Sequence, residues 1–251
     1  MSWLEETMVG FDTETTGVST DHDRIVTAAV ITRTGGDVST RTWLIDPGVE
    51  IPASATAVHG ITTEQARAEG KQPADALEEI ASVLASALTA GFPVVAFNAQ
   101  FDLSLLESEL ARHGLASLAS RIPGGVVAPV VDPLVLDRHL DRYRKGKRKL
   151  IDLCTIYAVP VVADDLHAAD ADVLATLELV QALGAAHPAM RESHLTDLHT
   201  QQIEAHRAWA TSFSAFLKSK GVTDDLPRTA WPVAVAETRS EPAELGADSL
   251  F

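Results

Sequence analysis

The chain has 251 residues, 46% of them hydrophobic and 22% charged, with a formal net charge of −15. That length supports one large domain or two small ones around a sizeable core, and the negative balance excludes broad, non-specific attraction to nucleic acid, which needs a basic surface. A single cysteine, Cys154, excludes an intramolecular disulfide framework; with no basic-then-apolar leader and no apolar run long enough to cross a bilayer, a reducing, cytoplasmic setting is expected.

Taken in chain order, "TMVGFDTET" (7–15), "DRIVTAAVITRTG" (23–35) and "TRTWLIDPG" (40–48) are rich in β-branched and aromatic residues and predict three strands. "TGGD" between the second and third predicts a tight turn and hence an antiparallel meander. "TTEQARAEG" (62–70) predicts a short capped helix, and "QPADALEEIASVLASALTAG" (72–91) a longer one with apolar residues at helical spacing and a glycine stop. "FPVVAFNA" (92–99) predicts a buried strand running directly into the helix "QFDLSLLESELARHG" (100–114). A further strand and helix start follow at 126–140, then helices at 149–160 and 169–187. Strands first and alternating strand and helix afterwards imply a mixed sheet flanked by helices. An amphipathic helix is expected from Leu195 to Lys220, with Leu198, Ile203, Trp209, Phe213 and Phe216 as its buried side. The chain divides into a core domain over 1–185, a helical extension over 186–230 packed on it, and a tail over 231–251. Pro, Ala and Glu dominate that tail, which is expected to be mostly disordered beyond "TAWPVAVAE" (229–237), a stretch expected to lie against the core.

Side chains alternate along a strand, so Asp12 and Glu14 lie on one face at the end of an apolar run. Two like charges so close raise one another's pKa unless a cation lies between them, and hard divalent ions such as Mg²⁺ prefer carboxylate oxygens. Taken alone, the pair reads more simply as a strand end running into solvent. It is not alone. Asp102 falls on the first turn of a helix after a buried strand, and His167 precedes Asp172 by five residues at the start of another helix. Each has a plain alternative, a helix-start acid or a loop histidine, but together they form a sharper constellation.

The segments "FDTETTG", "NAQFD" and "HAADAD" resemble, in order and spacing, the three motifs of the DnaQ-like 3′–5′ exonucleases. Within that family the third motif matches the His-x-x-x-x-Asp branch, called DEDDh, as in the epsilon proofreading subunit of DNA polymerase III and RNase T. Neither Tyr143 nor Tyr157 is followed by an aspartate at the sister branch's spacing. The resemblance covers about residues 7–185 and includes "VHGIT" (58–62), which looks like the loop beside the terminal nucleotide. It implies a ribonuclease H-like α/β fold, a mixed five-stranded sheet flanked by helices, here with an added C-terminal helix. It also implies that Asp12, Glu14, Asp102 and Asp172 hold two Mg²⁺ or Mn²⁺ ions, with His167 as general base. The product would be nucleoside 5′-monophosphate.

Candidate substrate contacts are Thr13 and Thr15 of the first motif, His59, and Asn98, which also stands where a cap for the second-motif helix is expected. Phe101 either stacks on a base or, the better reading, packs in the core. The run "RYRKGKRK" (142–149) is a solvated loop or, in this context, a grip on the phosphate backbone through residues such as Arg144 and Lys147. The expected partner is a single-stranded or frayed 3′ end, DNA ahead of RNA. The ending Asp248-Ser249-Leu250-Phe251 resembles the last part of sliding-clamp ligands, a flexibly tethered apolar pair. RNA 3′-end trimming by a member of the same family is the second reading, and a catalytically silent nucleic-acid or partner-binding module the third.

Overall fold

The computed structural model describes residues 2–161 and 168–234. Among them β1 (Thr7–Thr15), β2 (Ile25–Thr34) and β3 (Asp37–Leu44) form the expected meander, and the left-handed Gly35 turns the β2–β3 hairpin. β4 (Val94–Val95) and β5 (Val130–Val131) run parallel to β1, giving a mixed five-stranded sheet in the order β3-β2-β1-β4-β5. The two parallel strands are much shorter than the runs that predict them. Pro93 and Pro129 have no N–H to donate, so each ladder begins one residue later, with Val9 N and Val94 N bonding their carbonyls.

Between β3 and β4 lie α1 (Ala53–His59), α2 (Thr63–Glu69) and α3 (Pro73–Thr89). α1 escapes sequence pattern because it buries none of its residues and so has no apolar stripe. α4 (Ala99–Arg112) follows β4, and α5 (Pro133–Leu140) and α6 (Leu150–Ile156) follow β5. α7 (Ala169–Ala186), α8 (Pro188–Glu192) and α9 (Leu195–Ser219) complete the described elements.

Alternation along β1 splits the core into two layers. Val9 and Phe11 pack on one face with Leu77, Ile80 and Leu84 of α3 and Leu103 and Leu106 of α4. Met8 packs on the other face with Val173, Leu177 and Val180 of α7. Gly10 lies on that second face, where a Cβ would run into Val173 and Leu177; its hydrogen lets α7 settle directly on β1.

One expectation is corrected at the C-terminal end. Leu198 is buried and Ile203 packs against the core as expected, but the rest of α9's inner face is His199, Gln202, His206 and Ala210. The cause is a polar floor: the Gln202 side chain donates to the carbonyl of Val130 and accepts from Asp132 N, and His199 Nδ1 meets Val130 N. Beyond Ala210 the helix outruns the sheet, which leaves Phe213 and Phe216 exposed and Trp209 half-buried. The stretch 229–237, expected to lie against the core before the tail begins, is packed there over its described residues as far as Ala234. Trp231 is 5% exposed beside His199, and Ala234 N donates to Ser104 Oγ on α4.

Candidate active site

The site forms where the parallel strands end. Asp12 and Glu14 leave β1 on the face that α7 covers, and Asp172 lies in the first turn of α7. Carboxylate oxygens of Asp12, Glu14 and Asp172 lie within 4.8 Å of one another. Asp102 arrives from the opposite face of the sheet. Past Gly10, β4 no longer pairs with β1, so Thr13 N has no strand partner on that side, and Asp102 Oδ1 accepts from it at 3.0 Å and from Thr13 Oγ1 at 2.7 Å. Thr13, expected to meet substrate, thus has its side chain buried in the service of a carboxylate. Asp102 stands outside the set of three but acts on it through charge.

That charge is large. Burial, followed by the charges of Asp102, Asp172 and Glu14, pushes the Asp12 carboxyl well above the ordinary carboxylate range. Glu14 is pushed up to about 7, first by burial, then by Asp172 and Asp102. Asp102 is also raised to about 7 by burial, against the opposing effect of its bonds from Thr13. Hard carboxylate oxygens at this spacing suit a divalent cation.

The second-motif helix is positioned by a residue the motif reading misses. Asn98 occupies the N-cap of α4 in a left-handed conformation (φ 62°), yet its side chain makes no capping bond. Buried Asp132 caps the helix instead, accepting from Asn98 N at 3.1 Å and Ala99 N at 3.0 Å while also capping its own helix α5 through Leu134 N and Val135 N. The signal was present as Asp132-Pro133, an N-cap acid before a proline at the first helical position. Asp132→Ala orphans donors of two helices, so a loss of about 3 kcal/mol is expected, read by denaturant unfolding. Asp132→Asn should recover part of it.

The remaining candidates are scattered around this centre. His59 ends α1 with Nδ1 accepting from Ile61 N, and it lines a cavity of about 290 Å³ with Glu14, Trp43, Leu44, Ile61 and Ala169. Burial lowers its pKa, partly offset by the Thr15 carbonyl. Thr15 Oγ1 donates to Gly17 O, and Phe101 packs against the core layer of α3 and α4. In the basic run, Arg144 and Arg148 turn inward onto buried Asp137, which also accepts from Tyr157 Oη, while Lys147 is exposed. His167 and the ending Asp248–Phe251 lie outside the described residues.

A mixed sheet that gathers carboxylates at its parallel strand ends has the architecture of a cation-dependent nuclease. The chain belongs to the RNase T exonuclease family, of the DnaQ-like type, whose model matches residues 9–180. It is 31% identical over 176 residues to a PolC-type DNA polymerase III of Lacticaseibacillus paracasei, which spans 70% of this chain and 11% of that protein. A Streptococcus thermophilus PolC-type polymerase is 33% identical over 178 residues, with the same two shares. The chain therefore covers about a tenth of the length of these relatives. Among solved structures, E. coli exonuclease I in a zinc-bound complex with single-stranded DNA superposes with a TM-score of 0.62 at 21% identity, over 81% of this chain and 43% of that one. Another exonuclease I structure gives 0.64 at 20% identity, over 80% and 44%. The expected ribonuclease H-like sheet is thus the fold of known exonucleases. Among the described residues, no helix is long and apolar enough to cross a membrane.

Proposed function

We propose that the chain is a metal-dependent 3′–5′ exonuclease that removes nucleoside 5′-monophosphates from single-stranded or frayed DNA ends in proofreading or repair. The observation that carries this reading is the trio Asp12, Glu14 and Asp172 within 4.8 Å, in a chain of an exonuclease family. Mg²⁺ or Mn²⁺ bound there would supply Lewis-acid charge for the scissile phosphodiester. Asp12, Glu14 and Asp172 hold the ions, and Asp102 completes the set from across the strand end, fixed by Thr13. His167 accepts the proton of the attacking water, for which an ordinary imidazole pKa of about 6.5 is suited. The cavity between His59 and Glu14 takes the terminal nucleotide. Thr15, Asn98 and exposed Lys147 are the proposed strand contacts, whereas Phe101 and Arg144 act by packing and by binding Asp137.

DNA is favoured because the relatives are DNA polymerases and the fold neighbour was crystallised with single-stranded DNA. The test is digestion of matched DNA and RNA oligonucleotides, labelled at either end, with Mg²⁺, Mn²⁺ or EDTA. Mononucleotide release from the 3′ end of DNA, abolished by EDTA and slowed about 10²- to 10⁴-fold by His167→Ala, is expected. Release from RNA alone would make the chain an exoribonuclease, and no release at all would refute the enzyme. The partner proposed for the ending Asp248–Phe251 is a sliding clamp; a peptide of residues 240–251 that does not bind one removes that part.

A further inference from the structure

Helix α9 lies beyond the residues that match the family, and it extends past the sheet. His199 and Gln202 lie against Val130 and Asp132, and His206 Nε2 sits 3.1 Å from the Gln100 amide at the start of α4. The helix therefore runs along β5 and leaves the molecule at the edge of the sheet where the parallel strands end, the same edge that carries the carboxylates. From there Trp209, Phe213 and Phe216, spaced four and three residues apart, share one side. Their ring centroids are 5.6 and 6.2 Å apart, and the rings are tilted by only 23° and 12°. Such separations mean slipped rings with open surface, and Phe213 and Phe216 are 39% and 53% exposed. Cations stand at both ends of the row, the Arg138 guanidinium 3.8 Å from the Trp209 ring and Lys220 Nζ 5.8 Å from Phe216. Beside Trp209 opens a cleft of about 390 Å³ walled by Arg138, Arg142, Arg144 and Arg148. Asp137 and Asp141 offset two of these arginines, which leaves a positive cleft on a chain of net charge −15.

A contiguous row of exposed rings on one helix side marks an interaction surface. Rings for bases beside cations for the backbone are what single-stranded nucleic acid requires. We propose that the α9 aromatic row and the arginine cleft hold the single strand upstream of the 3′ end, while the Asp12–Glu14–Asp172 site takes the terminus. This rests on the nuclease reading and deepens it by assigning where the nucleotides behind the terminal one are bound. From Trp209 to Phe216 the helix rises about 10 Å, room for about three bases at their ~3.4 Å spacing. An acidic protein segment would use the arginines but has no need of evenly spaced parallel rings, so the strand is the better occupant.

The test uses the full chain. Anisotropy of a labelled oligothymidine of roughly a dozen nucleotides in EDTA reads binding apart from chemistry, and Phe213→Ala/Phe216→Ala should weaken it at least about tenfold. Arg142→Glu should weaken it and flatten its salt dependence. With Mg²⁺, the KM advantage of the long strand over a dinucleotide should shrink by the same factor in the double variant. Thermal unfolding by circular dichroism checks that the variants fold. Unchanged binding and unchanged KM ratio overturn the inference. So does a wild-type dimer, seen by light scattering, that the double variant splits, because the row would then face a second copy. Should no mononucleotide appear with either substrate, the nuclease reading fails while the binding arm still decides the row.

Discussion

Asp12→Asn is expected to cut nuclease turnover at least about 10³-fold and, in the metal-free chain, to raise the melting temperature at neutral and alkaline pH. The first effect follows from the reading above: the variant keeps the side chain's size but removes a charge worth several kcal/mol to the transition state through the ion it holds, and each 1.36 kcal/mol is tenfold in rate. The second follows from burial first and crowding second, because Asp12 is cut off from water and then faces the charges of Asp102, Asp172 and Glu14. Glu14 and Asp102 are both pushed up to about 7 in the folded chain. A carboxyl with a raised folded pKa holds its proton more tightly in the native state. Its contribution is therefore full below the unfolded pKa, about 4, and is lost as pH rises toward about 7. Metal-free wild type should thus melt lower near pH 8 than near pH 5, by about 2–4 °C per kcal/mol of strain, and Mn²⁺ should restore the loss. Asp12→Asn should flatten this dependence and blunt the restoration. Full activity in the variant, or a melting temperature at pH 8 below that of wild type, would contradict the role of Asp12.

The parts legible in the sequence were those encoded locally. The period-two pattern of 7–15 and the Gly35–Gly36 turn specify the meander, and the same period places Asp12 and Glu14 on one face, where Asp172 meets them. What was not legible depends on partners far along the chain. That Thr13 serves Asp102 follows from β4 stopping short, which no pattern within β1 records. The basic run is uniform as text, yet Arg144 and Arg148 are drawn inward by Asp137 while Lys147 stays outside. On α9 the apolar period misleads at its far end. A helix buries its stripe only where something lies beneath it, and Phe213 and Phe216 have run past the sheet.

The largest stability effect is expected at Asp137, a fully buried acid that takes no part in the proposed chemistry. Its Oδ2 accepts from Arg144 at 2.7 Å and also binds Arg148, its Oδ1 accepts from Tyr157 Oη at 3.0 Å, and Arg148 reaches onward to the Asp141 carbonyl at 2.6 Å. One carboxylate thereby ties the end of α5 to the basic run that follows and to the end of α6. Whether such a buried set adds net stability over an apolar one is a separate matter, because desolvation offsets much of the attraction. Removing the acid alone is unambiguous. Asp137→Ala takes the buried carboxylate from two guanidinium groups whose side chains are only 13% and 15% exposed, leaving them loop carbonyls and the more distant Asp141, and leaves the Tyr157 hydroxyl without its acceptor. The expected cost is about 3–5 kcal/mol, or roughly 6–20 °C in melting temperature for a chain of this size. Asp137→Asn, which keeps one acceptor and the shape, should cost less. If urea unfolding of Asp137→Ala instead gave a midpoint within error of wild type, the two arginines would be free to reach water, and the loop would owe its position to something other than this carboxylate.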